Sequence, residues 1–225
     1  MTFSLVARCA ASGMFGVAIS SSSPAVAARC AFVRAGVGAV ASQNVTDPAL
    51  GPLVLELMQS GSDAGAAIGA MQERARFPEY RQVLAIDARG GTAIHSGTRA
   101  LGVWGEARGR DVAAGGNLLA DARVPEAIVA AFETSAGHLG DRLLVALRAG
   151  LAAGGEAGAV RSAGLQLCDR VSWPVADLRC DWSDGCPIET LETIWRVYRP
   201  QLEDYVTRAL DPRAAPAYGV PGDEG

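Results

Sequence analysis

The second residue of the chain is the one best placed to do chemistry. Met1 is followed by Thr2, a small residue that allows an aminopeptidase to remove the methionine. The shortened chain would begin with Thr. Its hydroxyl is then a nucleophile and its own α-amine a general base. That amine titrates near ~8, well below a lysine amine, so a usable neutral fraction exists at neutral pH. Many chains begin Met-Thr, and the pair alone carries little weight. Position adds to it: Thr2 heads the alternating segment Thr2-Phe3-Ser4-Leu5-Val6-Ala7-Arg8. That segment reads as a strand, which would hold the nucleophile in place.

Thr2, Ser4, Val6 and Arg8 share one face of this strand. Ser4 and Arg8 are therefore candidates for contact with a substrate. Arg8 could clamp a carboxylate through two parallel hydrogen bonds or keep the Thr2 amine neutral; the alternative is an ion pair with Asp177 or Asp181. Asn117, beside Gly115-Gly116, is a candidate oxyanion donor, a role worth ~3 kcal/mol, against an ordinary turn asparagine. Ser21, within Ser20-Ser21-Ser22, could orient the Thr2 amine or act as an internal nucleophile. Ser42, with Gln43 and Asn44, ends a further strand and could line the same pocket. His95 precedes Ser96-Gly97, but no GxSxG elbow accompanies it, so it is read as a substrate contact and not as part of a triad. Asp177, Arg179 and Asp181 alternate on one strand face and read as a structural network, with Asp177 kept as a possible substrate contact.

Composition removes other chemistries. All 20 basic residues are Arg, so a lysine Schiff base and a P-loop with its phosphate-binding lysine are out. A net charge of −4 argues against a nucleic-acid binder. The five Cys form no CxxC pair, which fits a reducing compartment. Two His and no HExxH, with Cys180 and Cys186 too few for zinc even beside Asp181 or Asp184, leave no expected metal. No cofactor is expected. No basic segment precedes the first apolar stretch, and no window approaches 18 apolar residues. The expectation is a cytoplasmic protein without signal peptide or membrane span.

The elements that must position Thr2 follow from periodicity. Residues 2–20 read as a hairpin turning at Ser12-Gly13, and 31–42 as more strand. A helix is expected from Thr46-Asp47-Pro48, with Leu50, Leu53, Val54, Leu57 and Met58 as its stripe. A second, capped by Ser62, carries Ala64, Ala67, Ile68 and Met71. Strands return at 82–87 and 92–95 around Arg89-Gly90-Gly91, and at 111–119. Helices are expected from Pro125 and over Leu139–Leu151, strands at 163–169 and 175–181, and a last helix from Pro187 that Pro200 kinks or divides. Helix pairs segregated from antiparallel strands indicate a layered α+β sandwich. The division expected is a main domain over 1–186, an amphipathic helix over 187–211 packed on it or at an interface, and a flexible tail over 212–225.

Several segments together carry a family resemblance. The opening Met-Thr-Phe-Ser-Leu-Val-Ala-Arg, Gly16-Val17-Ala18-Ile19-Ser20-Ser21, and Gly36-Val37-Gly38-Ala39-Val40-Ala41-Ser42-Gln43 resemble the DUF1028 family. So do His95-Ser96-Gly97, Gly116-Asn117 and Ala176-Asp177-Leu178-Arg179-Cys180-Asp181, in the same order over residues 2–195. The resemblance implies a four-layer αββα sandwich of the N-terminal-nucleophile (Ntn) hydrolase type, with antiparallel sheets between helix pairs. The resemblance supplies no substrate; with Thr2 as candidate nucleophile, the leading expectation on that fold is an amidohydrolase acting on a small amide or peptide-like bond. The alternatives are a non-catalytic ligand-binding or assembly protein of the same fold, or a hydrolase using an internal Ser. The absence of Lys departs from the proteasome-like branch, where a Lys tunes the amine. A homodimer is expected by habit of the fold, with no nucleic acid or membrane as partner.

Overall fold

The computed structural model describes residues 1–222. Among these, ten strands form two antiparallel sheets. The larger joins β1 (Thr2–Arg8), β2 (Phe15–Ser21), β7 (Gly105–Gly109), β8 (Val112–Asn117), β9 (Ser162–Cys168) and β10 (Ala176–Cys180) in the order β10-β9-β2-β1-β8-β7. The smaller joins β3 (Ala31–Arg34), β4 (Gly38–Asn44), β5 (Arg81–Asp87) and β6 (Thr92–Ser96) in chain order. The helices are α1 (Ala27–Cys30), α2 (Leu50–Gln59), α3 (Ala64–Arg74), α4 (Val124–Thr134), α5 (Leu139–Ala152), α6 (Pro187–Tyr198) and α7 (Leu202–Leu210).

Three apolar clusters explain the alternation of β1. Phe3, Leu5 and Ala7 point to one side and pack with Ile128 and Phe132 of α4, Leu143 and Leu147 of α5, and Leu191 and Trp195 of α6. Val6 points to the other side, where Val17 and Ile19 of β2 meet Ala39, Ala41, Leu84 and Ile86 of the smaller sheet. The far side of the smaller sheet, with Val40, Val83 and Ala85, is covered by Val54 and Met58 of α2 and by Ile68 and Met71 of α3. Both faces of β1 are thus buried, and each fully buried large side chain contributes ~1.5–3 kcal/mol. The cost is that Thr2 and Ser4, on the face between the sheets, are buried too.

Some elements differ from the sequence reading. The strand expected over 111–119 is present as β8, and it pairs with a strand the sequence reading missed, β7. Gly105-Glu106-Ala107-Arg108-Gly109 lacks apolar alternation because it is an edge strand, held by its backbone. The helix expected at Thr46 begins at Leu50, with Asp47 Oδ1 accepting the Ala49 N–H at 3.0 Å. Asp63, not Ser62, caps α3, by accepting from Ala66 N. The last helix, by contrast, is divided as expected at Pro200, by a 3-10 turn at Arg199–Gln201. Arg208 of α7 reaches the expected tail: its guanidinium carbon lies 3.9 Å from the centre of the Tyr218 ring, and it donates to Pro216 O. Residues 223–225, the end of that tail, lie outside the described residues.

Candidate functional site

Antiparallel pairing on both sides of β1 sets Thr2 directly opposite Asn117 of β8 and places Ser20 of β2 opposite Phe3. Thr2, Ser21 and Asn117 share parity with Val6, Ile19 and Ala113, the residues that face the smaller sheet. All three therefore point into the space between the sheets, at its open end. Thr2 is only 5% exposed. Its hydroxyl reaches the Met1 carbonyl and lies 3.3 Å from Ser21 Oγ. Ser21 Oγ donates to the same Met1 carbonyl at 2.5 Å and sits 2.8 Å from Ser23 Oγ. Arg29 of α1 donates to Ser23 Oγ at 2.7 Å. A chain of hydroxyls thus runs from Thr2 to a guanidinium.

Beneath Thr2 the two sheets are joined by side-chain amides. Ser4 Oγ donates to Gln43 Oε1 at 2.6 Å, and Gln43 Nε2 donates to Gln82 Oε1 at 2.8 Å. The Gln82 amide group is anchored by the carbonyls of Gly105 and Gly116 and by Ser96 Oγ. Those acceptors fix which end of Gln82 is the donor, and so fix every amide linked to it. Asn117 must then turn its Nδ2 to Gln82 Oε1, at 3.4 Å. Its Oδ1 is buried and finds no partner among the described residues. Asn117, read from sequence as an oxyanion donor, instead leaves an acceptor free beside Thr2.

Glu156 is the residue that sequence reasoning missed. It follows α5 in the loop Gly154-Gly155-Glu156-Ala157-Gly158 and is only 4% exposed. Its two oxygens accept from Ser22 N at 3.0 and 3.1 Å, one residue beyond Ser21. Burial pushes its carboxyl up to about 7, against the pull of the nearby N-terminal ammonium and the Ser22 hydrogen bonds. The only signal in the sequence was a lone acid in a glycine-rich connection, which has no specific meaning.

The remaining sequence candidates lie elsewhere. Arg8 is six residues along β1 from Thr2, about 20 Å at ~3.3 Å per residue. It pairs at 3.1 Å with Asp111, not with Asp177 or Asp181, beside a cavity of about 590 Å³ lined also by Cys9, Arg110, Glu133 and Arg142. Ser42 points to the helix-covered side of the smaller sheet, where it donates to Asp47 O at 3.0 Å. His95 points the same way and its Nε2 meets Pro78 O at 2.8 Å. Asp177 is exposed on edge strand β10, 3.3 Å from Gln166 Nε2. Ser4 supports the amide chain. Of the candidates, Thr2, Ser4, Ser21 and Asn117 are brought together.

Left-handed backbone flanks this corner. Ala25, Asn44 and Leu118 have φ of 50°, 75° and 52°, a conformation that costs an L-residue roughly 1–2 kcal/mol and that gathers at functional sites. Leu118 directly follows Asn117, and its N–H bonds to Leu101 O; the Leu101 N–H in turn bonds to Asn44 Oδ1. These contacts tie the exposed Leu101, Val103 and Trp104 to the same end of the sheets. On the β9 side, Arg161 N donates to Ser21 O at 2.7 Å, and the Arg161 guanidinium lies 5.7 Å from the ring centre of exposed Trp182.

Comparison with known proteins follows this geometry closely in one case. The crystal structure of protein SPO2555 from Silicibacter pomeroyi, matched to the same family model, superposes with a TM-score of 0.84 at 28% identity, covering 91% of this chain and 89% of that one. Anbu (ancestral beta-subunit) from Yersinia bercovieri gives a TM-score of 0.39 at 10% identity, covering 90% and 97%. An Anbu (Gly-1) mutant from Hyphomicrobium sp. strain MC1 gives 0.42 at 11%, covering 92% and 99%. No functionally curated protein matches the chain. The model of the family of unknown function DUF1028 matches residues 2–191, and the chain belongs to that family.

Proposed function

We propose that the protein is an Ntn-type amidohydrolase on a four-layer αββα sandwich, using Thr2 as nucleophile on a small amide or peptide-like bond. The observation that carries this reading is the Thr2 hydroxyl, buried at the mouth between the sheets, 3.3 Å from Ser21 Oγ and sharing the Met1 carbonyl with it. That carbonyl stands in for the substrate carbonyl. Removing Met1 vacates its place and frees the Thr2 α-amine.

In the reaction, Thr2 Oγ1 attacks the carbonyl carbon while its proton passes to the α-amine. Ser21 Oγ, which already donates to a carbonyl oxygen at this point, takes the oxyanion role. Asn117 Oδ1, without a partner, accepts the N–H of the substrate amide or of the α-amine. The ammonium returns its proton to the leaving amine. Water then cleaves the Thr2 ester by the same route in reverse. Ser4, Gln43 and Gln82 hold Asn117. Leu101, Val103, Trp104 and Trp182 form an apolar rim for the substrate. This places the catalytic unit in residues 1–186, and we assign the protein to the cytoplasm as a homodimer, the latter checked by sedimentation equilibrium.

The first test is the intact mass of untagged protein expressed with its native start. The expected mass is short by one Met. An amide-library screen should then show turnover in wild type and none above background in Thr2→Ala of unchanged circular dichroism. Ser21→Ala should lower kcat ~10²–10³-fold, the effect of losing one oxyanion donor. A mass with Met1 retained would move the protein to the non-catalytic, ligand-binding class.

A further inference from the structure

Glu156 is a buried acid that the mechanism above leaves unused, and its surroundings differ from those of Asp87, the other acid buried among the described residues. Asp87 is explained by its turn: it accepts from the backbone N–H groups of Ala64, Arg89 and Gly91. Both oxygens of Glu156 share the single Ser22 N–H, which leaves lone pairs for a further donor. A carboxylate taken out of water is costly unless paired.

The loop carrying Glu156 wraps the start of β1. A Cβ on Gly155 would lie 3.4 Å from the Phe3 ring, and one on Gly158 3.6 Å from Met1 Cε. Between them Glu156 bridges to Leu119, two residues beyond Asn117. The loop backbone is thus tied to the β8 side and runs past Met1 and Phe3, while the Ser22 N–H holds the Glu156 carboxyl on the β2 side. The positive end of the chain already acts on it. Loss of Met1 moves that ammonium one residue inward, to Thr2 N. The other ionisable groups of this corner already have partners. Arg29 donates to Pro24 O, Ala25 O and Ser23 Oγ. Arg161 pairs with Asp184 at 3.6 Å. The Cys30 thiol, pushed up by burial, lies 3.6 Å from Thr46 Oγ1.

We propose that Glu156 is the positioning residue of the site, the counter-ion that holds the Thr2 α-amine and stabilises the positive charge it acquires when it takes the hydroxyl proton. The proposal rests on the nucleophile reading. It assigns Glu156 the part an acid plays behind a histidine base, orienting the base and balancing its charge without itself attacking.

The composition makes this directly measurable. With no Lys in the chain, the α-amine is the sole primary amine. After thiols are blocked, an amine-reactive acylating reagent labels the terminus alone. The full chain is prepared with Thr2 first, by proteolytic release of a leader, so the measurement does not depend on native removal of Met1 or on turnover. Labelling rate against pH gives the amine midpoint. An ionised partner within ~4–6 Å raises it by about one pH unit or more. We expect a wild-type midpoint above ~8, the usual α-amine value, a return towards it in Glu156→Gln with about tenfold faster labelling at pH 7, and retention of the wild-type midpoint in Glu156→Asp. Equal midpoints in wild type and Glu156→Gln would overturn the proposal. Should Glu156→Gln not fold, the reciprocal measurement uses wild-type sequence only: the Glu156 carboxyl, followed by carbon NMR, must titrate higher once the terminus is acetylated. No change on acetylation would overturn it equally. Retention of Met1 in the natively started protein, by contrast, sinks the nucleophile reading and is read from a separate mass.

Discussion

A carboxyl that titrates near 7 inside the protein makes stability depend on pH with a defined sign. Glu156 is raised from an ordinary 4.5 to about 7. Between those values the native state holds a proton that the unfolded chain has lost. Stability from this group therefore falls as pH rises from about 4.5 to 7, and levels off above. At ~1.4 kcal/mol per pH unit the window amounts to on the order of 3 kcal/mol. Urea denaturation across this range should show that slope in wild type and its loss in Glu156→Gln. A slope unchanged by the substitution would mean that the carboxylate is already balanced in the folded protein.

Elements meet here through small residues as much as through large ones. At the start of α5 a Cβ on Gly140 would stand 2.4 Å from the Trp195 ring of α6, while Trp195 Nε1 donates to Asp141 at 2.7 Å and the ring lies 5.5 Å from that of His138. Gly140→Ala should therefore push α6 outward and cost ~1–3 kcal/mol, the usual size of overpacking, with a shifted Trp fluorescence maximum. Trp195→Ala should cost more, ~3–5 kcal/mol, because it opens a cavity in the core. If thermal unfolding ranks the two the other way, α6 is a mobile cover and not part of the core.

For the whole molecule, the join between the two sheets at the site end is polar. Gln82 accepts from Gln43 and Asn117 and donates to the carbonyls of the larger sheet. Gln82→Ala strands these buried groups and should cost ~1–3 kcal/mol for each one left unsatisfied. It should also reduce turnover, if the proposed function holds, by releasing Asn117. Denaturation and kcat measured on the same variant separate the two effects. Among the described residues no helix is long and apolar enough to cross a membrane.

Local rules acting on the sequence determined much of this. Alternation specified β1, the Ser12-Gly13 turn specified β2 as its hairpin partner, and the 3.6-residue stripes specified α2, α3, α5 and α6, because each helical stripe is the imprint of a buried face. They brought Thr2, Ser4 and Ser21 forward as candidates, since terminal position and strand parity are properties of the chain itself. Edge strand β7 escaped, because backbone pairing leaves no side-chain pattern. Tertiary structure alone decided the rest. Strand parity put Thr2 and Arg8 on one face, but strand length separated them by about 20 Å. Ser42 and His95 looked equivalent to their neighbours until the sheets were stacked, when one face turned to the site and the other to the helices. The donor and acceptor ends of Asn117 were fixed only by an amide chain anchored on carbonyls of β7 and β8. Glu156 had no local signature at all: only the fold buries it and brings its carboxyl to Ser22, one residue beyond Ser21.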